Sequence, residues 1–159
     1  MEERSDQRRQ MTFSIDVGAP PAEAFALISD IERHGEWSPR AFEAARLDSG
    51  PIGVGTRYRT AGQKGARKGP MRTTEVSVTE FEPPTRFGFE AIEAAGTYRT
   101  TFVISPLGTG SRIMRIVDPP TTGLVPFIRH RLLGPVVRSY VQKNMYALRS
   151  RLGETSATP

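Results

Sequence analysis

The side chains of this sequence that could do chemistry are arginines, tyrosines and one tryptophan; the usual nucleophiles and metal ligands are missing or isolated. Cysteine is absent, which excludes a thiolate nucleophile, a cysteine-held metal and a disulfide framework. The two histidines, His34 and His130, have no carboxylates at ligand spacing around them, so neither a metal nor any other cofactor is expected. There is no nucleophile elbow or dinucleotide fingerprint, and Gly53-Val54-Gly55 and Gly108-Thr109-Gly110 are too short to cradle a phosphate. What is left is hydrogen-bond donors on strand and helix faces. By period two, Tyr58 shares a face with Val54, Thr56 and Thr60, and Tyr98 shares one with Thr100, Phe102 and Ile104. A tyrosine on an inward face either finds a protein partner for its hydroxyl or fixes a ligand carbonyl or hydroxyl. Arg115 has two readings. If Ile113, Arg115 and Val117 face inward, a guanidinium enters the interior and needs an anion or several acceptors. If Met114 and Ile116 face inward, Arg115 is ordinary surface.

Nearer the C-terminus, Phe127, Ile128, Arg131 and Leu132 lie at helical spacing. They read as a flap in which Arg131 or His130 meets an acidic head group, or as an amphipathic segment with a solvated basic face. Tyr140, Asn144 and Met145 look toward the sheet from one helix, Asn144 a polar note in an apolar lining and Met145 a core filler.

These groups need elements to position them. Met11, Phe13, Ile15 and Val17 alternate with polar residues, which predicts a half-buried strand. Pro20-Pro21 opens a helix to about Ser29, because proline is tolerated in a first turn, and a second short helix or turn follows over Ile31–Gly35. Six strands are predicted next, over Ala41–Leu47, Gly55–Ala61, Arg72–Glu82, Arg86–Glu93, Thr97–Pro106 and Ser111–Val117. Each is bounded by turn residues such as Ser49-Gly50-Pro51 and Pro83-Pro84. Thr121–Leu133 reads as an irregular or short helical lead-in. A long helix then starts at Pro135, with Val137, Val141, Met145, Leu148 and Leu152 at intervals of three or four and Gly153 as its stop.

The expected architecture is therefore α+β: a curved antiparallel sheet of about seven strands wrapped around a long C-terminal helix, with two short helices between the first and second strands. A bent sheet and a helix held apart by two short helices leave a cavity, which makes a small apolar molecule the expected partner. Residues 11–152 read as one ligand-binding domain between polar tails at 1–10 and 153–159. The composition agrees. Fifteen glycines and thirteen prolines in 159 residues argue for many turns and against a helical bundle.

The net charge of +5 comes almost wholly from dispersed arginines, only three of the 22 basic residues being lysine. No nucleic-acid-binding signature accompanies it, so no specific nucleic acid is expected. The loop Lys64-Gly65-Ala66-Arg67-Lys68 reads as a solvated hairpin tip or an anion-steering patch. No run approaches the roughly 18 apolar residues of a membrane span, and the charged N-terminus lacks a secretory core. The expectation is a cytoplasmic monomer or homodimer.

Several segments in order carry a resemblance. They are Phe13-Ser-Ile-Asp-Val-Gly-Ala-Pro-Pro-Ala-Glu-Ala-Phe25 with Ser29-Asp30 and Glu36-Trp37-Ser38-Pro39; Gly53-Val-Gly-Thr-Arg-Tyr58; Thr79-Glu-Phe-Glu-Pro-Pro84 with Phe87; and Gly110-Ser-Arg-Ile113. Together they resemble the START-like (SRPBCC) superfamily, nearest its bacterial polyketide cyclase/dehydrase and lipid-transport branch. The resemblance spans about Met11 to Leu152 and implies the helix-grip fold, also that of birch-pollen-allergen-like proteins. It further implies that Trp37 sits beside the cavity entrance, between the second helix and the sheet. Members bind lipids, steroids, polyketides and other apolar ligands, or act as cyclases and aromatases. The residues set out as ligand-binding are Trp37, Tyr58, Tyr98, Phe102, Arg115, Phe127, Arg131, Tyr140 and Asn144. The first expectation is binding of a small hydrophobic ligand such as a lipid or polyketide. The alternatives are a cyclase, aromatase or dehydratase using Tyr58, Tyr98 or Arg115 as donors, and an interaction module whose cavity is filled.

Overall fold

In a computed structural model, residues 10–63, 71–93, 96–118 and 124–153 are described, the side chains of residue 63 and of 124–133 excepted. Seven strands form one antiparallel sheet: β1 (Met11–Val17), β2 (Phe42–Arg46), β3 (Arg57–Gln63), β4 (Met71–Glu82), β5 (Arg86–Glu93), β6 (Gly96–Leu107) and β7 (Gly110–Asp118). Their order is β1-β7-β6-β5-β4-β3-β2, so β2 to β7 run as a meander and β1 closes onto the last strand. Helix α1 (Pro21–Ser29) and a 3-10 helix (Ile31–Trp37) connect β1 to β2, and α2 (Leu124–Leu152) follows the sheet. Strand limits lie within about two residues of those expected from alternation and turn signals. Val54 is an exception to the predicted face: it is exposed in the turn before β3, while Thr56, Tyr58 and Thr60 are buried together.

The inward face follows from the register, because directly opposed residues on antiparallel strands point the same way. One cross-strand row reads Phe13, Arg115, Phe102, Phe87 and Phe81 across β1, β7, β6, β5 and β4. A single guanidinium thus sits in a row of phenylalanines. Phe25 of α1 packs edge-on against the far end of that row, 5.3 Å from Phe81 and 6.4 Å from Phe87.

Helix α2 departs from expectation at its start. It begins at Leu124, so Pro135 lies inside the helix rather than at its first turn. In a first turn a proline loses nothing, whereas inside a helix it removes one rung of the hydrogen-bond ladder and its ring crowds the carbonyl four residues back. The stop is as expected: Gly153 takes a positive φ of 83°, the usual role of a glycine just past a helix. The N–H groups of Gly18 and Ala19 donate to the carbonyls of Gly153 (2.8 Å) and Leu152 (3.1 Å), tying the end of α2 to the β1–α1 turn. Val141, Met145, Leu148 and Leu152 are buried along one stripe of α2.

The expected tails apart from Gln10 and Gly153, the Lys64–Lys68 loop and the side chains of Phe127, His130 and Arg131 lie outside the described residues.

Candidate functional site

Between α2 and the sheet lies a cavity of about 380 Å³, open to solvent on one side. That volume is within the roughly 300–1,000 Å³ of small-molecule sites. The helical wall carries Ile31, His34 and Trp37 from the 3-10 helix and Val137, Tyr140, Val141 and Asn144 from α2. The sheet wall carries Phe42, Thr60, Thr74, Val76, Phe89, Ala91 and Tyr98, with Arg115 from β7. Exposed Arg72 and Val136 mark the solvent side.

The inward register of β7 places Arg115 in this cavity, between buried Ile113 and Val117. Its Nη1 donates to Asn144 Oδ1, and its guanidinium lies 5.1 Å above the Phe102 ring. Its Nε is buried with no hydrogen-bond partner among the described residues, and the Glu93 carboxylate belongs to the same cavity lining. Burial pulls its pKa below the usual arginine value, while the nearby Tyr98 and Tyr140 act the other way. The Asn144 Nδ2 donates onward to the Trp37 carbonyl at 3.2 Å, so one amide joins β7, α2 and the 3-10 helix.

Trp37 is only 3% exposed, and its indole Nε1–H has no partner among the described residues. Its ring lies 4.6 Å from that of His34 and meets Phe102 edge-on at 6.3 Å. The His34 Nε2–H donates to the Ile28 carbonyl at 2.8 Å, which leaves Nδ1 as the ring's acceptor. Burial lowers the His34 pKa to about 4, against the Ile28 hydrogen bond and with help from the Arg115 charge. The ring is neutral at physiological pH. Burial also raises the Tyr98 pKa, so its hydroxyl stays protonated and can donate.

Five residues set out from the sequence meet here: Trp37, Tyr98, Arg115, Tyr140 and Asn144. Tyr58 and Phe102 do not line the cavity. Phe102 is fully buried behind it, under Arg115. Tyr58 shares a cross-strand row with Arg46, Val76, Ala91 and Tyr98, and is fully buried there with its hydroxyl unpartnered among the described residues. The charge of Arg46 reaches it there, opposed by those of Asp30 and Glu32 at the start of the 3-10 helix. Sequence reasoning missed His34, Phe42, Phe89 and Arg40 as wall residues. Phe89 and Ala91 alternate in period two on β5, which was signal enough; His34 carried none beyond its neighbourhood to Trp37.

The residues 8–153 match the family described as polyketide cyclase / dehydrase and lipid transport. A search among curated proteins found no significant match. Solved structures share the fold at low identity. NE0264 from Nitrosomonas europaea superposes with a TM-score of 0.71 at 12% identity, over 91% of this chain and 94% of that one. Ara h 8.0201 gives 0.66 at 13% identity, over 90% and 96%. The di-domain ARO/CYC StfQ from the steffimycin biosynthetic pathway gives 0.72 at 10% identity, over 95% of this chain and 53% of that one. With the helix-grip fold, its cavity and a match along nearly the whole length, this chain belongs to the polyketide cyclase/dehydrase and lipid-transport family.

Proposed function

We propose that the protein binds a small, mostly apolar molecule bearing one acidic or strongly accepting oxygen, with that oxygen received by Arg115. The observation that carries this reading is the Arg115 guanidinium, which lines a largely apolar and aromatic cavity and donates to Asn144. Desolvating a guanidinium is costly, and a ligand oxygen in the cavity offsets part of that cost. The apolar remainder of the cavity supplies affinity. Covering about 200 Å² of ligand surface contributes roughly 5 kcal/mol before association costs.

The test pairs two neighbours on β6. Tyr98 lines the cavity, whereas Arg99 is exposed on the other face and paired with Glu90. Tyr98→Ala is expected to weaken binding of a hydrophobic probe dye by about tenfold, the equivalent of roughly 1.4 kcal/mol, and Arg99→Ala to leave it unchanged. Equal effects from both would remove the reading. Native mass spectrometry of the purified protein gives a second route, through a co-purifying small molecule.

One observation favours a catalytic version. Tyr98, Tyr140 and Arg115 converge on the cavity as donors, an arrangement that can polarise a carbonyl; the aromatase/cyclase title of the StfQ structure points the same way. Turnover of a poly-β-ketone that is lost in Arg115→Gln would support it over simple binding.

A further inference from the structure

Gly134 and Pro135 stand side by side in the interior of α2. A proline there has no N–H for the carbonyl four residues back and crowds it with its ring, and glycine is the next poorest residue for a helix. Neither is demanded by its surroundings. A Cβ added at Gly134 meets no atom within 4 Å, and its φ is not positive, so alanine fits there. Pro135 is exposed. Two helix breakers in succession, with no packing reason for either, make this the natural bending point of the longest element. After the joint α2 is held firmly. Arg138 lies over the Phe13 ring at 5.6 Å, and Arg40, from the chain before β2, lies over Tyr140 at 4.7 Å. Asn144 donates to the Trp37 carbonyl, Arg151 pairs with Glu36, and the β1–α1 turn ties down the helix end. Val136 and Val137, immediately after the joint, line the cavity, with Val136 exposed on its solvent side. The joint therefore adjoins the cavity mouth, and the helical segment 124–133 departs from there.

We infer that α2 is built of two stiff pieces and that its first piece, residues 124–133, is a lid that swings on Gly134–Pro135 at the cavity mouth to admit and release the guest. This rests on the cavity being a ligand site. The α2 side chains that line the cavity, from Val136 to Asn144, belong to the piece after the joint. They stay in place when the lid moves, so the lid sets the rate of exchange and leaves the affinity to the wall.

Two measurements on the full chain test this. Gly134→Ala combined with Pro135→Ala restores the missing rung and stiffens the joint, and stopped-flow mixing with a hydrophobic probe dye reads the exchange. Association and dissociation are each expected to slow by at least about tenfold while Kd stays within about twofold, because opening becomes rarer and the wall is unchanged. Gly53→Ala, in the β2–β3 connection, where an added Cβ also meets nothing within 4 Å, should leave both rates as they were. Unchanged rates in the double variant, or equal slowing in Gly53→Ala, would overturn the lid. The second measurement needs no ligand. The chain has no cysteine, so spin labels at Arg129→Cys and Val54→Cys report a single distance by pulsed electron paramagnetic resonance. Its distribution is expected to be broad in the otherwise wild-type chain and narrow once both alanines are present. A width that the alanines leave unchanged would overturn the joint, whether or not the dye binds. A dye that fails to bind, with the narrowing still observed, would bring down the ligand-site reading and the lid's role with it, but not the joint.

Discussion

At the scale of single residues, Arg115 shows what alternation can and cannot reveal. Both faces of β7 carry apolar side chains, Ile113 and Val117 on one and Met114 and Ile116 on the other, so the pattern alone had two solutions. The charge counted against the face that the fold uses, and Asn144, on another element, gives the guanidinium an acceptor there. Asn144→Leu is therefore expected to destabilise the fold by about 2–4 kcal/mol, since it strands a guanidinium N–H and the Trp37 carbonyl together; chemical denaturation measures it. His34 makes a separate statement through pH. Its folded pKa of about 4 lies below the ordinary value of 6.5. The unfolded chain therefore binds the extra proton between those limits, and stability falls as pH drops from 6.5 toward 4. The loss is on the order of 3 kcal/mol across that window. His34→Gln, which keeps an N–H to offer Ile28, should flatten the curve there. An unchanged slope would mean that His34 is not held neutral by its surroundings.

At the scale of elements, the strands were legible because turns and alternation agree at nearly every boundary. The long helix was legible in its last four turns, where Val141, Met145, Leu148 and Leu152 recur, and illegible at its beginning, where Pro135 has two permitted roles. The distinction can be measured. At the first turn of a helix a proline sacrifices nothing, but inside one it removes a hydrogen bond at a cost of about 3 kcal/mol. Pro135→Ala is expected to raise the melting temperature by several degrees, on the scale of about 2–4 °C per kcal/mol for a domain of this size. No change would place the helix start where the sequence pattern put it. Contacts between elements leave a weaker trace still. A side chain at Gly110 would put its Cβ 2.0 Å from the Val17 carbonyl oxygen. That glycine reads in sequence only as a turn residue, yet it lets the β6–β7 hairpin press against the end of β1.

At the scale of the whole molecule, the cavity is a volume enclosed by residues far apart in the chain, which no local pattern displays. Asn144 reaches Trp37, and Arg151 near the end of α2 reaches Glu36 at 2.7 Å, where Arg33 also binds. This second clasp holds the 3-10 helix to α2 on the side of Trp37. The two arginines hold the Glu36 carboxyl down to about 2, from an ordinary 4.5. Arg112, Arg57 and Arg86 likewise hold Asp16, Asp48 and Glu80 below the usual carboxylate range. For a depressed carboxyl the unfolded state takes up the proton first, so the contribution is complete above about 4.5 and disappears as pH falls toward 2. Stability should therefore fall over two pH windows, the His34 window first and a smaller one below it from the exposed carboxylates. Glu36→Gln is expected to lessen the fall in the lower window and leave the upper one untouched. Because the clasp borders the cavity wall, the same variant should also make Trp37, the one tryptophan of the chain, easier for acrylamide to quench at neutral pH. Quenching that stays at the wild-type level would separate the clasp from the wall and limit its role to acid stability.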